Sequence, residues 1–344
     1  TLPQLALVRA LLFPELRIGE QRPLLPDAAI PALVVRDVLQ VMDLRQEAIA
    51  RTLGEGHRLI HGPAGSGKTM LLIYRAVQLQ AAARPDKPIL VLCYNKSLAD
   101  RIATTLRLKG VGPSVQVRTF HSWALELVRT YQLGRVGRLA TDADYEAIAQ
   151  LACSGIASAR VPQGQYTALL IDEAHDLADA WIAAAVKMVD PATKSLLVLY
   201  DDAQSIYQKT RRKLSFAKLG VEARGRTEVL KINYRNTREV LALALECARP
   251  ILQAREPGDG DDVPLVLPDS AGRSGPVPVL SPFNSVDAEL RNVVARISER
   301  HAEGRRLADM AVIARQWWLL ERLQPLLQRA GLPSLQSRHR RRTE

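Results

Sequence analysis

Cysteine is scarce in this chain: 344 residues hold three, Cys93, Cys153 and Cys247. None shares a C-x-x-C or metal-ligand spacing with another. That argues against a zinc ribbon or a disulfide framework and fits the reduced thiols of a cytoplasmic protein. No apolar run approaches the ~18 residues of a membrane span, and no signal-peptide pattern opens the chain. A membrane partner is therefore not expected. Internal repeats and low-complexity tracts are absent as well. There is no methionine at Thr1, so the sequence reads as part of a longer chain or a processed one.

What is present is an ordinary globular composition, 47% hydrophobic, with length enough for two domains. Basic residues outnumber acidic ones by 47 to 36, a net charge of +11. Such a surface favours a polyanion, and nucleic acid is the first candidate. Part of the excess sits in a basic tail, 336–344, which can equally be a solvated end.

Residues 1–40 are rich in Leu and Pro and read as a lead-in segment. A helix is expected from Asp43 through Arg51. Short apolar strands at 58–61, 89–93, 115–118, 168–172 and 195–200 then alternate with helices at 69–83, 96–108, 121–132, 142–152 and 178–188. This order predicts an α/β fold, a parallel sheet with helices on both faces. The expected first domain is 41–228, with a small insertion at about 133–167. A partial second domain is expected over 229–335: a helix from Thr237 to Arg249 stopped by Pro250, a strand at 277–280, a helix at 285–303, a strand at 310–314 and a helix at 316–330.

The sharpest motif is Gly62-Pro63-Ala64-Gly65-Ser66-Gly67-Lys68-Thr69. It fits the phosphate-loop pattern G-x-x-x-x-G-K-[ST] at every fixed position, between an expected strand and an expected helix. Gly62, Gly65 and Gly67 permit a tight turn and close approach of backbone to phosphate. Lys68 suits the β- and γ-phosphates of a nucleotide such as ATP, and Thr69 suits Mg²⁺. A second motif, Leu169 to Asp176, ends a strand in the carboxylates Asp172 and Glu173, placed for a metal and for an attacking water. A third, Leu196 to Tyr207, carries Gln204, a candidate γ-phosphate sensor whose plain alternative is a turn-capping amide. A fourth holds Tyr234 and Arg235, a ring that can stack on a base and a guanidinium that can meet a phosphoryl group; the alternative is a surface pair. Gln46 can pair with an adenine edge.

These motifs in this order resemble helicase superfamily 1, specifically the UvrD/Rep-like 3′→5′ DNA helicases and translocases. Tyr94-Asn95-Lys96 looks like that group's motif Ia, and Thr119-Phe120-His121 like its motif Ib. The wording near the phosphate loop also resembles helicases that carry an upstream NERD domain. The resemblance implies a P-loop NTPase (RecA-like) first motor domain and a partial RecA-like second. It implies that Gln46 and Tyr234 hold adenine, and that Gly62 to Thr69 cradle the phosphates. Lys68, Asp172, Glu173, Gln204 and Arg235 would serve hydrolysis, with Thr69 and Asp172 on Mg²⁺. Tyr94, Asn95, Lys96, Thr119, Phe120 and His121 would face single-stranded DNA, RNA not being excluded, in a monomeric motor. Departures stand out. His175 occupies a glutamine's place in D-E-x-Q-D, and Tyr200 replaces the glycine that opens the third motif. Gln208 to Lys213 stand where aromatics are usual, and no late motif follows Asn236. A truncated ATP- and DNA-binding module without unwinding is thus the alternative. A different P-loop switch is a third reading, against which Gln204-Ser205-Ile206-Tyr207 and Asn233-Tyr234-Arg235 argue.

Overall fold

The computed structural model describes residues 44–84, 86–137, 139, 141–201, 216–253 and 269–335. The chain divides into two compact units between Val277 and Pro278.

The first unit is built on a parallel sheet. Its strands are β1 (His57–His61), β2 (Ile89–Cys93), β3 (Val115–Thr119), β4 (Ala168–Ile171), β5 (Ser195–Tyr200) and β6 (Thr227–Val229), in the order β3-β2-β4-β5-β1-β6. Every pairing is parallel. The helices are α1 (Leu44–Thr52), α2 (Lys68–Leu79), α3 (Lys96–Leu108), α4 (Phe120–Thr130), α5 (Asp142–Ala157), α6 (Asp179–Val186) and α7 (Arg238–Gln253).

Both sheet faces are buried because the strand side chains alternate between two cores. Leu90, Leu92, Leu169, Ile171, Leu196 and Val198 point to the side of α4, α5 and α6, where Phe120, Trp123, Ile148 and Ile182 meet them. Ile89, Val91, Ala168, Leu170, Leu197 and Leu199 point to the side of α1, α2 and α3, against Ile49, Leu71 and Ile102. Each fully buried Leu or Ile contributes about 1.5–3 kcal/mol. Truncating one, as in Leu170→Ala, costs about 2–5 kcal/mol.

Helix starts follow from short polar caps. Asn95 accepts from the Ser97 and Leu98 amides, Thr119 accepts from Ser122, and Thr141 forms a reciprocal capping box with Asp144. Helix α5 lies within the stretch read as an insertion, yet Ile148, Ala152 and Ile156 are part of the core.

Two expectations fail in the later part of the chain. Helix α7 continues three residues past Pro250 instead of stopping there; the proline removes one hydrogen bond without ending the helix. No strand forms at 277–280 or 310–314. A strand exists only as part of a ladder, and neither segment has one among the described residues. Val279, Leu280 and Ile313 stay exposed. The second unit is instead a helix pair, α8 (Val286–Ala302) and α9 (Trp317–Arg329), closed by Leu290, Leu323, Leu327 and Leu332.

Candidate functional site

Parallel order brings the C-terminal ends of β1, β5 and β4 to one sheet edge, side by side. His61 pairs with Tyr200, and Ile171 with Val198. The residues that follow these ends are Gly62, Asp201 and Asp172. This edge is where ligands enter open parallel sheets.

The phosphate loop runs from β1 into α2. Gly67 sits at φ 88° at the helix start and Gly65 at φ 79°, a left-handed region in which a side chain is strained. Lys68 is buried. Its Nζ donates to the carbonyls of Gly62 at 2.6 Å and Pro63 at 3.0 Å, and lies 3.6 Å from the Asp201 Oδ2 atom. Gln46, on α1, is also buried. Its Nε2 donates to the Ser66 carbonyl at 2.7 Å. That amide braces the phosphate loop.

Thr69 and Asp172 meet although 103 residues separate them. The Thr69 Oγ1 donates to Asp172 Oδ2 at 2.8 Å. Asp172 is fully buried, and burial, with the charge of Glu173 beside it, pushes its carboxyl up to about 7. No cluster of three or more His, Cys, Asp or Glu suited to a metal occurs among the described residues. Mg²⁺ does not need one, because it keeps waters and takes phosphate oxygens from its substrate. A threonine hydroxyl and a carboxylate in contact fit that habit, and a cation there would restore the ionised carboxylate. These two residues would hold it, and it would neutralise phosphate charge.

Glu173 follows in a left-handed conformation, φ 51° and ψ 48°. For a residue other than glycine this costs of order 1–3 kcal/mol, and such strain gathers at functional sites. His175, two residues on, is buried, with its Nδ1 3.5 Å from Glu173 Oε2.

The fourth motif clips onto the phosphate loop. The Tyr234 amide donates to the Gly65 carbonyl at 3.0 Å, and Asn233 Nδ2 donates to the Ala64 carbonyl at 3.1 Å. Asn233 Oδ1 accepts from the Arg235 and Asn236 amides, both at 2.9 Å. Arg235 is exposed beside the loop. Tyr234 as a whole is 8% exposed, so the expected stacking on a base has little open face. Gln204 lies outside the described residues.

The segments expected to face a nucleic-acid strand divide. Tyr94 and Lys96 are exposed, and His121 is partly buried. Asn95 and Thr119 spend their side-chain oxygens on helix caps. Phe120 is a correction. It is fully buried and stacks on Trp181 with ring centroids 4.6 Å apart, so it belongs to the core. The first residue of an amphipathic helix turned its ring inward. The His121 ring is met edge-on by Tyr94 at 5.7 Å, Tyr145 at 5.6 Å and Trp181 at 4.9 Å. Burial lowers its pKa.

Three residues at this edge carry no assignment from the sequence: Asp201, 3.6 Å from Lys68 Nζ; Asn233, which holds the phosphate loop; and His61, the last residue of β1. Asn233 had a legible signal, since an asparagine side chain readily closes a turn onto the following amides.

A family model described as an AAA domain matches residues 45–210. The chain is 26% identical over 176 residues to the mitochondrial ATP-dependent DNA helicase HMI1 of Saccharomyces cerevisiae (strain ATCC 204508 / S288c). That match covers 50% of this chain and 24% of the relative, so the chain spans about a quarter of the length of the curated relative it matches. Among solved structures, the Pif1 helicase from Candida albicans aligns with a TM-score of 0.35 and 16% identity. It covers 64% of this chain and 49% of that one. The architecture is that of a P-loop NTPase: a parallel α/β sheet whose first strand feeds a phosphate loop and helix.

Proposed function

We propose that this chain supplies the motor of an ATP-dependent DNA helicase or translocase of superfamily 1. In this reading it is UvrD-like, of the kind found with an upstream NERD domain, and moves 3′→5′ as a cytoplasmic monomer on single-stranded DNA. One observation carries the reading: Thr69 of the phosphate loop touches Asp172 of the acidic motif, on the edge that also presents Lys68 and Glu173. The likeness to a relative named as a DNA helicase supports the choice of polymer.

The residues divide the work by chemistry. Lys68 exchanges its carbonyl partners for β- and γ-phosphate oxygens. Thr69 and Asp172 would hold Mg²⁺, which would supply neutralisation of phosphate charge. Glu173 accepts the proton of a water whose oxygen attacks the γ-phosphorus; the bond to the bridging oxygen breaks and ADP leaves. Arg235 and Gln204 complete the γ-phosphate surroundings. Tyr94, Lys96 and His121 meet the strand.

The alternative is an ATP- and DNA-binding module that does not separate strands. The lack of any ladder at 277–280 and 310–314 among the described residues supports it. The test measures phosphate release by the 344-residue chain with and without a single-stranded DNA, an RNA of equal length, and a duplex with a 3′ tail. Stimulation by the single strand, lost in Lys68→Ala, is expected. Unstimulated or absent turnover overturns the motor reading. Turnover without strand separation selects the module.

A further inference from the structure

Two positions that depart from the resembled helicase pattern, His175 and Tyr200, pack against each other. Their rings meet edge to face with centroids 6.0 Å apart. Tyr200 in turn stacks on His61, 5.8 Å away at 26°, and takes Phe216 edge-on at 5.3 Å. All four rings are buried. The cluster touches every strand end that builds the site. His61 is the last residue of β1, directly before the phosphate loop. Tyr200 is the last residue of β5, directly before Asp201. His175 belongs to the turn that follows Asp172 and Glu173.

The other end of this stack is Glu173. Its side chain is only 27% exposed, and Oε2 is closed off from solvent. No hydrogen bond reaches that oxygen among the described residues; the polar group that faces it is His175 Nδ1, at 3.5 Å. The distance is long for a hydrogen bond, but contacts of this kind commonly tighten when substrate completes a site. A five-membered ring wedged against Tyr200 cannot swing freely. It therefore presents Nδ1 to the carboxylate in one direction, and the carboxylate is carried on a left-handed backbone.

We propose that His175 is a positioning residue for Glu173, braced by the Tyr200 ring, and that this pairing governs turnover and leaves nucleotide affinity untouched. The inference rests on the assignment of Glu173 to hydrolysis made above. His175 does not touch substrate. It fixes the direction of the carboxylate that must take a proton from water, and a misplacement of about 1 Å at such a group can cost on the order of 100-fold.

Four variants of the full chain test it: His175→Ala, His175→Asn, Tyr200→Phe and Tyr200→Ala. Steady-state hydrolysis with single-stranded DNA gives kcat and KM, and a fluorescent ATP analogue gives affinity. His175→Ala is expected to lower kcat by about 10- to 100-fold, with affinity within about 2-fold. Asn places an amide nitrogen near the Nδ1 position, so His175→Asn recovers much of the rate. Tyr200→Phe keeps the ring and the rate; Tyr200→Ala repeats the loss. In a Glu173→Asp background the shortened carboxylate no longer meets the imidazole, so adding His175→Ala changes little. The inference is overturned if the two losses simply multiply, if affinity falls along with kcat, or if Asn does no better than Ala. His175→Asn and Tyr200→Phe carry the test should the alanine variants fail to fold. Turnover in the unmodified chain with any of these results leaves the motor reading standing. No turnover in the unmodified chain removes the motor reading, and this inference with it.

Discussion

Asp172 shows what burying a single carboxyl at the end of β4 does to stability. It is wholly buried, and its carboxyl is pushed up from an ordinary 3.8 to about 7, by burial first and the neighbouring Glu173 charge second. Hydrogen bonds from Thr69 and the Glu173 amide, and the charge of Lys68, oppose the shift without cancelling it. The consequence for stability has a definite sign. Between about pH 4 and pH 7 the unfolded chain releases a proton that the folded chain retains. Stability contributed by this group therefore falls as pH rises through that window and stays low above it. Replacing the acid with an amide removes the penalty while keeping an acceptor for Thr69. Asp172→Asn is expected to raise the thermal midpoint at pH 8 and to change it little at pH 4, while abolishing Mg²⁺-dependent hydrolysis. Melting curves at the two pH values decide it. A midpoint lowered at pH 8 would mean that the carboxylate is held ionised by partners that outweigh its burial.

At the level of elements, the site depends on how closely the phosphate loop lies against the chain that follows β6. Leu230 donates to the His61 carbonyl at 2.7 Å. A Cβ on Gly62 would stand 2.6 Å from the Leu230 carbonyl oxygen, an atom of the backbone that cannot rotate away. Gly62→Ala must therefore separate the loop from that segment. It is expected to cost about 1–3 kcal/mol in denaturant unfolding, and to weaken ATP binding because the loop and the Asn233 clip move together. Gly112→Ala is the control, since nothing lies within 4 Å of its added carbon and its backbone is not left-handed. Equal midpoints for the two variants would show that the loop is free to shift. The same contrast explains what was legible in the sequence. Strands β1 to β5 and their helices were readable because apolar runs bounded by caps such as Asn95 and Thr141 leave few other solutions. The phosphate loop and the two carboxylates were readable because their spacing is itself the chemistry. The inward turn of Phe120, the Gln46 brace and the Asn233 clip were not, because each depends on which distant element packs beside it. The expected strands at 277–280 and 310–314 failed for a related reason: apolar alternation can propose a strand, but only a neighbouring ladder makes one.

Across the whole molecule the charge is lopsided, +11 over 344 residues, and its use should be measurable without any assumption about unwinding. Binding a single strand displaces counterions from its phosphates. The logarithm of the affinity should then fall linearly with the logarithm of salt, with a slope of about −0.7 for each phosphate neutralised. Lys96 is an exposed cation next to Tyr94, an exposed ring at the end of β2. Their contributions differ in kind. An ammonium contacts a phosphate and releases an ion; a ring stacks on a base and releases none, yet contributes about 1–3 kcal/mol per base. Carboxylates modulate the same area, since Glu146 and Asp142 act on His121, so the strand is expected to keep its phosphates toward Lys96 and away from α5. Fluorescence anisotropy of a labelled oligonucleotide across a salt series separates these effects. Lys96→Ala should make the slope shallower by about 0.7 for every sequence tried. Tyr94→Ala should lower affinity at all salt concentrations and leave the slope unchanged. An oligonucleotide with abasic sites should bind the unmodified chain as weakly as the normal strand binds Tyr94→Ala. A flat salt response would mean that the excess charge serves no nucleic acid, and a slope unaltered by Lys96→Ala would move the strand to another face of the sheet.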